Sequence, residues 1–349
     1  MTKIVTTWQE FLNQQSTNNL QTMPDAEGNF VTPITDLGLI ALTGDEAANF
    51  LHNQLTNDVA QLPLDQIRLA GYCSPKGRLL ATLLMWKSDQ TIFLQLPRTI
   101  QAAVQKRLQM FVMRSKAKLA DVTEEYAVIG LGGTAVGAAL APWFTDLPTA
   151  PYAKIDNANG TLIRCSDAND VARYQWIASQ QIAIAAWTPL SETLPVVDDR
   201  VWRLGQIQAG IPQITLATQE QFVPQMINYE VVGGVNFKKG CYPGQEIVAR
   251  SQYLGKLKRR AVLANVDAID VDAGTEVFSS ADPLQPCGMI VNAERLDPNG
   301  KTTTCLLEIK LAALDNGSVH IGSASGPQLS FIPLPYAMPD PVAPAVKLS

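Results

Sequence analysis

Histidine is nearly missing from this chain, with two residues, His52 and His320, in 349. A zinc site built on His and paired Cys is therefore not expected, and each histidine reads as a solvent-facing or hydrogen-bonded side chain. The five cysteines, at 73, 165, 241, 287 and 305, contain no C-x-x-C pair and form an odd, scattered set. That argues against a disulfide framework and fits reduced thiols in a cytosol. Charged residues make up only 17% and net −5, which excludes broad charge-driven affinity for nucleic acid or anionic membrane, so direct nucleic-acid binding is not expected. No run approaches the roughly eighteen apolar residues of a membrane span. The stretch from Met1 to Phe30 is rich in Gln, Asn and Thr and lacks the apolar core of a signal peptide. A soluble cytoplasmic chain without a membrane partner is the expectation.

Apolar residues are plentiful at 46%, enough for a packed interior, and a chain of this length implies two or three domains. Residues 1–33 read as a helical or loosely ordered lead, with Trp8, Phe11 and Leu12 on one short apolar face. From 34 to 124 the spacing predicts a strand over Thr35–Leu42 and a helix carrying Ala47, Phe50, Leu51 and Leu55. It then predicts strands at Gln66–Cys73, Leu79–Lys87 and Thr91–Leu96, a helix from Thr99 to about Met113 and a strand near Ala117–Val122. This is a β-α-β-β-α-β-like unit. A comparable unit restarts at Tyr126 and fills 125–255, with strands at Tyr126–Leu131, Thr161–Cys165 and Arg173–Ala178 and helices at Thr134–Phe144, Ser179–Ala186 and Asp198–Ala209. From 256 to 336 short strands alternate with turns such as Asp272-Ala273-Gly274 and Asp315-Asn316-Gly317, the texture of a small antiparallel barrel. Residues 337–349 form a Pro-rich tail ending in Lys347-Leu348-Ser349. Gly130-Leu131-Gly132-Gly133 tempts a dinucleotide reading, but Ala135 stands where the third glycine is required, so it reads as a turn. Lys256-Leu257-Lys258-Arg259-Arg260 is read as the wet face of an edge strand, with phosphate contact as the alternative.

The densest chemistry lies in Lys239-Gly240-Cys241-Tyr242-Pro243-Gly244-Gln245-Glu246, closed by Arg250. Lys238, Lys239 and Arg250 would favour a thiolate at Cys241. Pro243-Gly244 is a turn, and Glu246 and Arg250 stand four apart on a starting helix. A reactive thiol is one reading, and a small buried apolar group at a turn-to-helix junction is the other.

The signature K-G-C-Y-x-G-Q-E-x-x-x-R resembles that of the YgfZ family, folate-binding proteins related in fold to the glycine-cleavage T-protein. The likeness runs from about Asp36 to Tyr336. It includes Gln54-Leu55-Thr56-Asn57-Asp58-Val59, Trp202 through Ala209-Gly210-Ile211-Pro212, Phe222-Val223-Pro224-Gln225 and Pro333-Leu334-Pro335-Tyr336. It implies an α+β, aminomethyltransferase-like fold of two ferredoxin-like units and a C-terminal antiparallel β-barrel. It also implies tetrahydrofolate or a related folate as ligand, and a role in iron–sulfur cluster assembly or repair and thereby in tRNA modification. Iron–sulfur enzymes, tRNA-thiolating ones included, would be the partners. Cys241 would be the working thiol, a redox partner or transient ligand, with Lys239 beside it. Trp202, Leu37, Asn57, Asp58, Tyr242, Gln245, Glu246 and Arg250 would serve the folate. Read alone, Trp202 is core packing and Asn57-Asp58 a helix-ending turn. Leu37 stands where the family carries a second tryptophan, so half of the aromatic clamp is replaced. T-proteins place acidic residues in the hairpin corresponding to Ser74–Ser88, where this chain has no carboxylate, so aminomethyl transfer lacks its acid–base group. Two alternatives remain: a one-carbon transferase using other groups, and a pure interaction protein.

Overall fold

Short apolar runs bounded by Gly, Pro and Asp become the strands of three antiparallel sheets in the computed structural model, which describes residues 7–15, 21, 23–112, 115–253, 257–295, 297 and 299–339. Met1, Met113, Lys256 and the tail from 340 onward, with Lys347-Leu348-Ser349, lie outside the described residues.

The chain opens with α1 (Trp8–Gln14) and β1 (Phe30–Pro33). The first unit follows as β2 (Leu37–Thr43), α2 (Ala47–His52), β3 (Ile67–Cys73), β4 (Leu79–Ser88), β5 (Thr91–Pro97), α3 (Arg98–Val112) and β6 (Lys118–Asp121), with sheet order β3-β4-β5-β2-β6. The second unit is β7 (Tyr126–Gly132), α4 (Val136–Leu140), β8 (Lys154–Asn157), β9 (Gly160–Arg164), β10 (Arg173–Ser179) and α5 (Gln180–Thr193), with sheet order β8-β9-β10-β7-β1. The two orders correspond strand for strand, so the duplication that periodicity suggested is carried by topology. One strand breaks the pattern: β1, from the stretch read as a loose lead, fills the edge that β6 fills in the first unit, pairing Phe30 with Gly132 and Val31 with Leu131. Likewise α1 packs on α5, with the Trp8 and Trp187 rings 5.4 Å apart.

The sheets stack face to face with helices outside. Alternate residues of each strand point opposite ways, so Leu39 and Ala41 of β2, Phe93 of β5, Val128 of β7, Ile163 of β9 and Ile177 of β10 share one middle layer. The other faces pack on α2 and α3 in one unit and on α1, α4 and α5 in the other. The helix expected over Thr134–Phe144 forms only at Val136–Leu140, whereas α5 outruns its predicted end and carries Pro189, because Ala183, Ala186, Trp187 and Leu190 stay buried along one face.

Next come α6 (Arg200–Gln208), α7 (Gln245–Tyr253), β11 (Arg259–Asp267), β12 (Glu276–Ser279), β13 (Asp282–Glu294), β14 (Thr302–Lys310), α8 (Ala312–Asp315), β15 (Val319–Ile321) and β16 (Leu329–Ile332). The last six strands form one curled antiparallel sheet, β15-β12-β13-β14-β11-β16, whose ends meet at a bridge between His320 and Gln328. Among the described residues no helix is long and apolar enough to cross a membrane.

Candidate functional site

Three places carry the residues in question: the signature loop, the Gln54–Val59 segment beneath it, and a cavity between the second unit and the curled sheet. Cys241 is exposed, whereas Cys73, Cys165, Cys287 and Cys305 are buried. Burial pushes Cys73 and Cys305 up to about 12 and Cys165 up to about 11, and raises Cys287 as well. The thiolate is the nucleophile, and of the five thiols only that of Cys241 is exposed to solvent.

Lys239 does not project into solvent. Its ammonium donates to the carbonyls of His52 and of Leu55 (2.9 Å) and lies 4.7 Å from the Tyr242 ring centre. The lysine thus caps the end of α2, whose last carbonyls have no helical partner, and pins the signature loop to it. Burial lowers its pKa to about 8, against the opposing pull of Asp58 and Cys241. Between about 8 and the ordinary 10.5, then, the unfolded chain holds this proton and the folded chain does not, so stability from this group rises with pH across that window. Lys239→Met is expected to remove the slope: the unfolding-midpoint difference between wild type and variant should move in favour of wild type from pH 8 to pH 10, read by urea denaturation.

Gly244 makes the turn. Its φ is +80°, and a Cβ there would meet Ser74 O at 2.5 Å and the Gly77 backbone at 2.6 Å. The β3–β4 turn is therefore seated on the signature turn and the start of α7. Gln245 N–H donates to Tyr242 O at 3.2 Å, and Gln225, from the F-V-P-Q stretch, donates to Val248 O at 2.8 Å. Tyr242 is buried and Glu246 and Arg250 are exposed.

The Gln54–Val59 segment is a clamp. Thr56 donates to Gly234 O (2.6 Å) and accepts from Gly71 N–H (2.7 Å). Asn57 donates to Leu69 O and Gly233 O, both at 2.7 Å. Asp58 faces His52, Oδ1 to Nδ1 3.1 Å. These contacts join β3 to the 228–239 loop, whose Val231, Val232 and Gly233 form a wall of the cavity.

The cavity, about 920 Å³, lies where the second unit, the 205–235 stretch and the curled sheet meet, with Tyr152, Asp167, Asp170, Gln208, Asn265 and Tyr336 on its wall. Tyr152, Ser166 and Ile211 are shared with a narrower slot of about 60 Å³ that runs into the middle layer past Leu37, Leu69, Leu84 and Ile163. Two amides in the slot stand out. Gln95 of β5 and Gln175 of β10, the corresponding strand of the second unit, are both nearly fully buried. The Nε2 of each has no hydrogen-bond partner among the described residues. A buried donor left unmade costs about 1–3 kcal/mol.

Of the residues expected to serve a folate, Leu37 lines the slot. Trp202 lines neither cavity: it is buried in the middle layer, where Gly130 makes room for it, with the Arg173 guanidinium 4.9 Å from its ring. Arg173 in turn donates to Ser166 O (3.1 Å) and Gln206 Oε1 (2.8 Å), both on the slot wall. Asn57, Asp58, Tyr242, Gln245, Glu246 and Arg250 line neither space, and neither does Cys241. The thiol and the cavity are separate sites joined through the 228–239 loop. Gln95, Gln175 and Arg173 were missed, although a polar residue inside the apolar runs Ile92–Leu96 and Tyr174–Ala178 was a legible signal. Among the described residues no three His, Cys, Asp or Glu side chains are grouped to hold a metal ion.

Two paired α+β units with a curled third sheet define the aminomethyltransferase class of fold. The glycine cleavage system aminomethyltransferase T from Bartonella henselae superposes with a TM-score of 0.72, covering 88% of this chain and 86% of that one at 16% identity, a likeness of fold. Residues 26–167 match the GCVT N-terminal domain family. Within that class, the chain is similar to proteins named tRNA-modifying protein YgfZ. That from Sodalis glossinidius (strain morsitans) is 28% identical over 307 residues, 87% of this chain and 92% of its own length. That from Serratia proteamaculans (strain 568) is 27% identical over the same shares. The resemblance to the YgfZ family carried by the signature is borne out.

Proposed function

We propose that this chain is a folate-binding accessory protein in tRNA modification, acting through assembly or repair of iron–sulfur clusters in the modifying enzymes, with Cys241 as its working thiol. The names of its relatives support the tRNA half. The observation that carries the ligand half is the pair of orphaned amides, Gln95 and Gln175, in an apolar slot opening on a large cavity. Largely apolar walls with unmatched donors suit a flat ring bearing acceptors on its edge, and a pterin edge with its carbonyl and ring nitrogens is such a group. The ring edge enters the slot and the rest of the molecule lies in the cavity. Among the described residues no Lys or Arg lines that cavity, so the glutamate tail runs toward solvent without an ion pair there. A single thiol cannot hold a cluster in the usual four-thiolate manner, so any cluster contact is shared with the client enzyme.

The test is titration with tetrahydrofolate, followed by calorimetry. Wild type is expected to bind saturably, and Gln95→Leu with Gln175→Leu to bind at least about tenfold more weakly, the loss of one or two matched hydrogen bonds. Unliganded stability of the double variant should be unchanged or higher, since orphaned donors are removed. Absence of saturable binding to wild type would refute the ligand assignment. One-carbon transfer at relocated groups has Asp167 and Asp170 on the cavity wall in its favour, and turnover of methylene-tetrahydrofolate with an amine would select it instead.

A further inference from the structure

His52 closes α2, and its Nδ1 lies 3.1 Å from Asp58 Oδ1. That oxygen also accepts the Gln61 N–H at 2.9 Å, and Arg68 donates to the Asp58 carbonyl at 2.6 Å, so the carboxylate is fixed in place. A carboxylate only accepts, so Nδ1 carries the imidazole proton and Nε2 carries the lone pair. The Ala60 N–H approaches Nδ1 at 3.4 Å, a longer contact than the charge-assisted one that sets the tautomer. Nε2 has no hydrogen-bond partner among the described residues, and, leaving aside the adjoining Lys239 and Cys241, it is the one described atom within 4 Å of the position a Cβ on Gly240 would take, at 3.7 Å. The signature loop therefore passes close to this nitrogen at Gly240, and the next residue is the exposed Cys241. The titratable and charged groups around the imidazole are Asp58 on its own segment, Lys239 and Cys241 from the loop, and Arg68 of β3 behind Asp58.

We propose that His52 is the proton acceptor for the Cys241 thiol and that Asp58 is its positioning residue. The inference rests on Cys241 being the working thiol. Among the described residues Cys241 has no hydrogen-bond partner, so the thiol first turns about its Cα–Cβ bond toward Nε2. The S–H bond then breaks, an N–H bond forms at Nε2, and the electron pair stays on sulfur as thiolate. The imidazolium that results is stabilised by Asp58. Asp58, which the resemblance assigned to the folate site, is thus placed with His52 beside the thiol instead.

The test is iodoacetamide alkylation of the full chain, resolved cysteine by cysteine by mass spectrometry between pH 6.5 and 9.5. At pH 7, Cys241 should react at least about tenfold more slowly in His52→Gln than in wild type, and less slowly in Asp58→Asn, a modest share of what a positioned base supplies. The curves should converge at pH 9.5, where hydroxide replaces the base. Cys73, Cys165, Cys287 and Cys305 report folding, since they stay protected in an intact chain. Wild-type rates at pH 7 in a protected His52→Gln would overturn the proposal. Should that variant expose the buried thiols, the His52 ring signals in wild type and Cys241→Ser decide by NMR: a titration midpoint that moves on loss of the thiol supports the pair, and an unmoved one overturns it. Cellular tRNA modification with Cys241→Ser separates the two levels, because unchanged modification overturns the working-thiol reading while leaving the alkylation kinetics to judge His52.

Discussion

Trp202→Ala is expected to cost about 3–5 kcal/mol of stability, the range for removing a large buried aromatic. The indole is 2% exposed and sits in the layer shared by both sheets, so its loss opens a cavity that neither unit can close alone. One contact cannot be replaced by collapse: Gly130 on β7 lies so close that a Cβ there would meet Trp202 Cε3 at 2.6 Å. On the other side Arg173 loses an aromatic face 4.9 Å away, and a desolvated cation–π pair is worth about 2 kcal/mol. The measurement is urea denaturation beside tetrahydrofolate titration. Affinity should fall as well, because Arg173 holds Ser166 and Gln206 on the slot wall. Trp202→Phe should recover much of both. A ligand platform would behave differently, losing affinity with little change in stability, and a stability loss below about 1 kcal/mol would refute the packing role.

The same residue shows what the sequence could and could not convey. Its helix was legible, since the spacing over Asp198–Ala209 matches α6 at Arg200–Gln208. Strand positions in the first unit were legible to within a residue or two because each apolar run ends at a turn residue such as Gly77 or Asp89, both with positive φ. The role of β1 was not, because an edge strand of four residues whose partner β7 lies about a hundred positions away has no local signature. Side-chain direction was equally hidden. Lys239 looked like a free cation beside a thiol, but whether an ammonium points to solvent or to two carbonyls depends on α2, nearly two hundred residues upstream. His52, dismissed for want of other histidines, gains meaning only when the fold brings the signature loop above it.

That long-range seating is also sensitive to a single methyl group. Gly244→Ala is expected to destabilise by about 3–5 kcal/mol, above the ordinary range for a point change and for two separable reasons. A φ of +80° places alanine in the left-handed region, at about 1–2 kcal/mol. Its Cβ would then lie 2.5 Å from Ser74 O and 2.6 Å from Gly77 N and Cα, all main-chain atoms that cannot swing aside as a flexible side chain would. Either the β3–β4 turn or the start of α7 has to move. Movement of α7 strains the bond from Gln225 to Val248, whereas movement of the turn strains Gly77 N–H to Ser74 O at 2.9 Å. Hydrogen exchange tells these apart: faster exchange at Val248 and Ala249 marks a shifted helix, and faster exchange at Gly77 a shifted turn. In both cases the loop that carries Gly240 past His52 Nε2 shifts, so alkylation of Cys241, three residues upstream of position 244, should slow at pH 7 toward the rate of His52→Gln. A Gly244→Ala protein with wild-type stability and wild-type Cys241 kinetics would show that the two turns are not seated on one another as described.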